Sequence, residues 1–65
     1  MNWDQIEGAW KQFVGRARER WADLSDDEIE RIKGKRDQLV GAIQKKRGVA
    51  RQEAEREVED WARSL

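Results

Sequence analysis

The sequence predicts an all-α domain, a small bundle of about four helices, and three observations carry that expectation. Apolar residues recur at alternating steps of three and four, the period of one helix face. Helix boundaries are written locally, in a Ser25–Glu28 capping box and in glycines at positions 34 and 48, and proline is absent throughout. The chain also repeats itself once. Residues 6–15 read I-E-G-A-W-K-Q-F-V-G and residues 32–41 read I-K-G-K-R-D-Q-L-V-G, an offset of 26 that keeps Ile6/Ile32, Gly8/Gly34, Gln12/Gln38, Val14/Val40 and Gly15/Gly41 identical.

The first helix is expected near residues 3–21. Asn2 with Gln5 three positions on forms a capping pair, and Trp3, Ile6, Trp10, Phe13, Ala17 and Trp21 then fall on one face. Gly8 and Gly15, seven residues apart, lie nearly on one face of this helix, where each costs roughly 1 kcal/mol relative to alanine. Close approach of another helix would justify Gly15 and its counterpart Gly41.

The second helix is expected near 26–33, with Ser25 as N-cap, Glu28 completing the box, and Leu24 stapled onto Ile29. Apolar spacing continues through Ile32, Leu39, Val40 and Ile43, but Arg36 stands where the repeat would place an apolar residue, directly after Gly34 and Lys35. A break near Gly34 and a third helix near 36–47 are therefore expected. The alternative is a three-helix bundle with a continuous helix over 26–47, Arg36 laying its aliphatic stem along the core. Lys45, Lys46 and Arg47 before Gly48 mark a C-terminus, cations near the carbonyl end and glycine free for the left-handed cap. The last helix is expected near 51–64, with Ala54, Val58, Trp61 and Leu65 inward and Ala50 a poor N-cap.

At 65 residues the chain makes one domain, residues 1–65, too short for a deep substrate cleft. Charged residues make up 43% and apolar ones 37%, a composition near the disordered class that regular apolar spacing pulls towards helix. No cysteine is present, which suits a reducing compartment, and nothing in the sequence reads as an export signal or a membrane span. Fourteen basic and fourteen acidic residues cancel, but unevenly: residues 35–51 sum to +5 and residues 52–65 to −3. A zero total argues against a dedicated nucleic-acid binder.

Histidine, cysteine, tyrosine and threonine are all missing, and the only serines are Ser25 and Ser64. A Ser-His-Asp triad then has no base and a zincin no ligand pair, so no catalytic residues, cofactor or small-molecule substrate are expected. The acidic groups Asp26, Asp27, Glu28, Glu30 and Glu53, Glu57, Asp60 lack the alternating pattern of a calcium loop, and no metal is expected. Tryptophans on the first helix read as core, since its opposite face is charge-balanced where a membrane-surface helix would be basic. Residues 29–43 resemble a helix-hairpin-helix element, in which a glycine turn points amides at a phosphate. On that reading Lys33, Gly34, Lys35 and Arg36, joined by Lys45, Lys46, Arg47 and Arg51, form a nucleic-acid-binding set. Only one of the two turn glycines is present.

The N-terminal M-N-W-D-Q-I-E-G, then W-K-Q-F, the Leu24–Asp27 junction, G-K-R-D-Q-L-V-G at 34–41 and the closing E-A-E with Trp61 resemble the CsbD-like family of small bacterial stress proteins over nearly the whole chain. The resemblance implies a bacterial cytoplasmic protein induced under general or osmotic stress, two helical hairpins packed crosswise, and no active site to carry over. Where members commonly place serine or threonine before the last helix, this chain has Ala50. The first functional expectation is a non-enzymatic stress-response protein acting through a charge-rich hydrated surface or an unidentified partner. The alternatives are a nucleic-acid-binding module at the Gly34 turn and a helix-mediated interaction module, self-association included, through an exposed tryptophan.

Overall fold

The computed structural model describes residues 2–65, and Met1 lies outside them. Five helices follow one another: α1 (Trp3–Gly8), α2 (Trp10–Arg20), α3 (Asp26–Ile32), α4 (Arg36–Arg47) and α5 (Arg51–Ser64). The most extensive packing is α4 along α5 and α2 along α3, each pair joined by a short connection. The result is a small all-α bundle.

The local signals act as expected at both capping boxes. Asn2 Oδ1 accepts from Gln5 N at 2.9 Å and Ser25 Oγ from Glu28 N at 3.2 Å, while the Gln5 and Glu28 side chains return the bond to the cap amides. Gly48 takes the left-handed conformation (φ 67) and its N–H donates to Gln44 O at 2.8 Å, closing α4. Neither Lys35 nor Ala50 supplies a side-chain cap to the helix it precedes.

The expected first helix is two helices. At Ala9 (φ −118, ψ 30) the chain bends, with the Ala9 N–H shared between the carbonyls of Gln5 and Ile6. The bend lets Ile6 and Trp10 both reach the core, where Trp10 Nε1 donates to the Ile29 carbonyl at 2.9 Å. The continuous helix over 26–47 does not form, because Lys33 (φ 53) and Gly34 (φ 77) are both left-handed and turn the chain between α3 and α4. Residues 6–15 and 32–41, alike in sequence, therefore fold differently, the first bending at one residue and the second following a turn over two.

Most residues expected to face inward are buried, namely Ile6, Trp10, Phe13, Ala17, Trp21, Leu24, Ile29, Ile32, Leu39, Val40, Ile43, Ala54, Val58 and Trp61, joined by Ala62, while Trp3 and Leu65 are half-buried against this core. Trp61 on α5 is its centre, with ring centroids of Trp21, Trp3, Trp10 and Phe13 at 5.2, 6.1, 6.2 and 6.5 Å, all but the tilted Trp3 edge-on. Among the described residues no polar or charged side chain is buried.

The glycines correct one expectation. Gly15 and Gly41 do not mark close helix contacts: both are exposed, and a Cβ at either would meet nothing within 4 Å. The close approach is at Gly34, where a Cβ would lie 2.6 Å from the Glu7 Cα. Spacing within one helix says which glycines share a face, but not whether anything packs on it. Gly15→Ala and Gly41→Ala are accordingly expected to stabilise the fold by about 1 kcal/mol each, read as a higher urea midpoint at unchanged slope.

Candidate functional site

The expected basic set lies at the two ends of α4 and the start of α5, and the fold divides it. Arg36 Nη2 meets Glu59 at 2.9 Å and Glu55 at 3.7 Å, while Arg51 reaches Asp37 at 3.5 Å and Glu55 at 3.8 Å. Arg47 bridges Asp23 at 3.1 Å and Glu57 at 2.8 Å, and Lys46 Nζ lies 3.3 Å from Glu28. Within the cationic segment 35–51, Arg36 and Arg47 thus meet acids of α5, Arg47 also meets Asp23, Lys46 meets Glu28 of α3, and Arg51 reaches back to Asp37, so four of its six cations are committed to the fold. Such partly exposed pairs contribute roughly 0–1 kcal/mol each. Their main effect is to set which cations remain.

Lys33, Lys35 and Lys45 make no ion pair among the described residues. They do not share one face. Lys33 borders a small apolar hollow of about 270 Å³ with Glu7, Trp10, Lys11, Val14 and Glu30. Lys45 lines a different trough, between α3 and α4, with Arg31, Gln38, Gly41 and Ala42. Gly34 is buried under α1, so its missing side chain serves packing against Glu7. Sequence reasoning passed over Arg31, which sits in a predominantly acidic helix. Its signal was the polar stripe Gln38, Gly41, Ala42 and Lys45, at i, i+3, i+4 and i+7, on the helix that pairs with α3.

Glu57, one of the acids that form no calcium loop in the sequence, is the polar hub. Its Oε1 accepts from Trp21 Nε1 at 3.2 Å and Arg47 Nη1 at 2.8 Å, with Arg20 Nη2 at 3.4 Å. One carboxylate oxygen therefore joins α2, α4 and α5 beside a fully buried indole.

The titration shifts follow the same contacts. Hydrogen bonds from Arg47 hold Asp23 below the ordinary 3.8, and the Ser25 amide, with help from Lys46, holds Glu28 below 4.5. The Asp23 hydrogen bonds in turn raise Arg47. A carboxylate that binds protons less readily folded than unfolded adds stability above its unfolded value, and that stability is lost as pH falls through the folded one. With no histidine in the chain, the thermal midpoint is expected to stay flat between about pH 6 and 8. It should fall once pH drops below the ordinary range of these two acids, as followed by helical circular dichroism.

Among the described residues no group of three or more acids is placed to hold a metal ion. Among the described residues no helix is long and apolar enough to cross a membrane. An open-sided depression of about 480 Å³ is lined by Arg16, Glu19, Arg20, Trp61, Ser64 and Leu65.

Comparison with known proteins gives this geometry a family. The CsbD-like family pattern matches residues 4–56. A UPF0337 protein of Pectobacterium atrosepticum is 54% identical over 61 residues, covering 94% of this chain and 88% of that one. The UPF0337 protein YjbJ of Escherichia coli is 52% identical with the same coverage. A UPF0337 protein of Nitrosomonas europaea is 50% identical over 62 residues, covering 95% of this chain and 66% of that longer one. The family match spans the Ser25–Glu28 capping box, the Gly34 turn and the uncapped start of α5, and on it the chain belongs to the CsbD-like family.

Proposed function

We propose that this protein works without catalysis in the bacterial stress response, as a folded cytoplasmic particle whose charge-dense, hydrated surface keeps other macromolecules from associating when water is scarce. The observation that carries the reading is the division of the chain: twenty-eight ionisable side chains, fourteen of each sign, lie outside a core made wholly of apolar groups. Membership of the CsbD-like family and the lack of histidine and cysteine support it.

Physically, a surface of interspersed opposite charges holds water strongly and offers few apolar patches on which an unfolding protein would nucleate. Cancellation of charge across the fold also limits long-range attraction to polyanions and polycations alike.

The test is thermal aggregation of citrate synthase, followed by light scattering, with and without the protein at equal mass. Suppression greater than that given by albumin is expected, and it should disappear in a variant whose exposed Glu and Lys residues are replaced by Gln. Suppression no better than albumin, or unchanged in the Gln variant, would sink the reading.

A further inference from the structure

We infer that the outer trough between α3 and α4 is a binding surface for the phosphate backbone of duplex nucleic acid. It is a shallow hollow of about 320 Å³. Glu28, Arg31 and Ile32 line it from α3, and Gln38, Gly41, Ala42 and Lys45 from α4. Lys35, Gln38, Ala42 and Lys45 are spaced three, four and three residues apart, so Lys35 at the N-cap extends the same line along α4. From Lys35 to Lys45 the line is about 15 Å long at ~1.5 Å per residue. Measured along the duplex axis, where one strand carries a charge every ~3.4 Å, that length spans about four phosphates, of which the three cations would contact three.

The charge in the trough is uncompensated by the fold. Arg31, Lys35 and Lys45 make no ion pair among the described residues, unlike Arg36, Lys46, Arg47 and Arg51. Glu28, the carboxylate at the trough's edge, is held by Lys46 at 3.3 Å and by its capping bond to the Ser25 amide at 3.1 Å.

Gly41 supplies an independent observation. It sits in the middle of a twelve-residue helix with open space over its Cα, so the fold gives no reason for the missing side chain. A surface without a Cβ at that point lets a backbone from outside approach the helix closely.

The chemistry of the lining selects among anionic partners. Protein interfaces are depleted in lysine and anchored by aromatic or apolar side chains, whereas the one large apolar group here, Ile32, is 3% exposed. Single strands need aromatic faces for their bases to stack on, and no ring lines the trough. Arginine, lysine and glutamine without an aromatic suit duplex phosphates, contacted irrespective of base sequence. A net charge of zero adds no long-range pull, so binding is weak and local. This surface does not depend on the protective role proposed above.

The test is fluorescence anisotropy of a labelled random-sequence DNA duplex titrated with the intact protein. Three phosphate contacts give a slope of about −2.7 in log affinity against log salt, or roughly 40-fold weaker binding at 200 mM than at 50 mM. Arg31→Ala/Lys35→Ala/Lys45→Ala is expected to abolish binding and flatten that slope. Lys11→Ala/Arg16→Ala/Arg56→Ala removes the same charge elsewhere and should stay within about twofold of the parent, since its residues lie off the trough. Gly41→Glu, which the open space accommodates, should abolish binding while circular dichroism shows the fold intact. Absence of duplex binding at 50 mM salt would overturn the inference. So would equal loss in both triple variants, tighter binding of single strands, or capture of polyglutamate in place of duplex.

Discussion

Replacing Gly34 with alanine is expected to cost about 3 kcal/mol or more, lowering the thermal midpoint by roughly 15 °C. Two effects combine. At φ 77 a side chain adds about 1–2 kcal/mol of backbone strain. The new Cβ would also lie 2.6 Å from the Glu7 Cα and 3.3 Å from its N and Cβ, so it meets backbone with no rotamer to move aside. Relief requires α1 to lift from the turn, which uncovers Ile6, now fully buried, at about 1.5–3 kcal/mol. Gly48→Ala separates the two effects, because Gly48 is equally left-handed (φ 67) but faces open space. It should lose only the strain. Lys33 already holds φ 53 with a side chain in place, so strain alone is compatible with the fold. Urea unfolding of both variants decides the matter: losses equal within about 0.5 kcal/mol would mean that α1 does not pack on the turn as described.

Trp61→Ala is expected to leave no cooperatively folded protein at 25 °C. Removing a buried tryptophan costs about 3–5 kcal/mol through lost burial and the cavity left behind. At ~0.05–0.15 kcal/mol per residue, a chain of this length has roughly 3–10 kcal/mol in total. Trp61 is also the ring that the other aromatics share, with edge contacts worth about 0.5–1.5 kcal/mol apiece. Its loss unlinks α5 from α1 and α2 together. Near-ultraviolet circular dichroism should collapse while part of the far-ultraviolet helix signal persists, and Trp61→Phe should recover a sharp melt at lower temperature. A sharp, only slightly lowered melt for Trp61→Ala would show that the core is not organised about this ring.

The parts of the fold legible in the sequence are those whose cause is local. Ser25 with Glu28 and Asn2 with Gln5 announce two helix starts, Gly48 after three cations announces an end, and the step of three and four names the inward residues. What the sequence hid depends on residues distant along the chain. The bend at Ala9 is invisible because Ile6, Trp10 and Phe13 keep helical spacing across it. Gly8, Gly15, Gly34 and Gly41 look equivalent in the sequence, yet only Gly34 meets another segment. For the candidate surface, the cations were visible but their partners were not. Arg36, Arg47 and Arg51 lie ten to twenty-four residues from most of the acids they meet, so a run of like charge read as available was largely committed to folding. Arg31 was passed over for the converse reason, that its sequence neighbours are acidic while its spatial neighbours on α4 are not.

The position of Trp61 also bears on when this protein can fold during its own synthesis. Trp3, Trp10, Phe13 and Trp21 are all made at least forty residues before the ring they gather around. Until α5 has left the ribosome, those four aromatics lack the ring they share, and the growing chain carries a core without its centre. Assembly then occurs in one step once translation has delivered the last helix, so a chain cut short before α5 remains open to proteolysis and is cleared as a whole, without persisting as a half-built bundle.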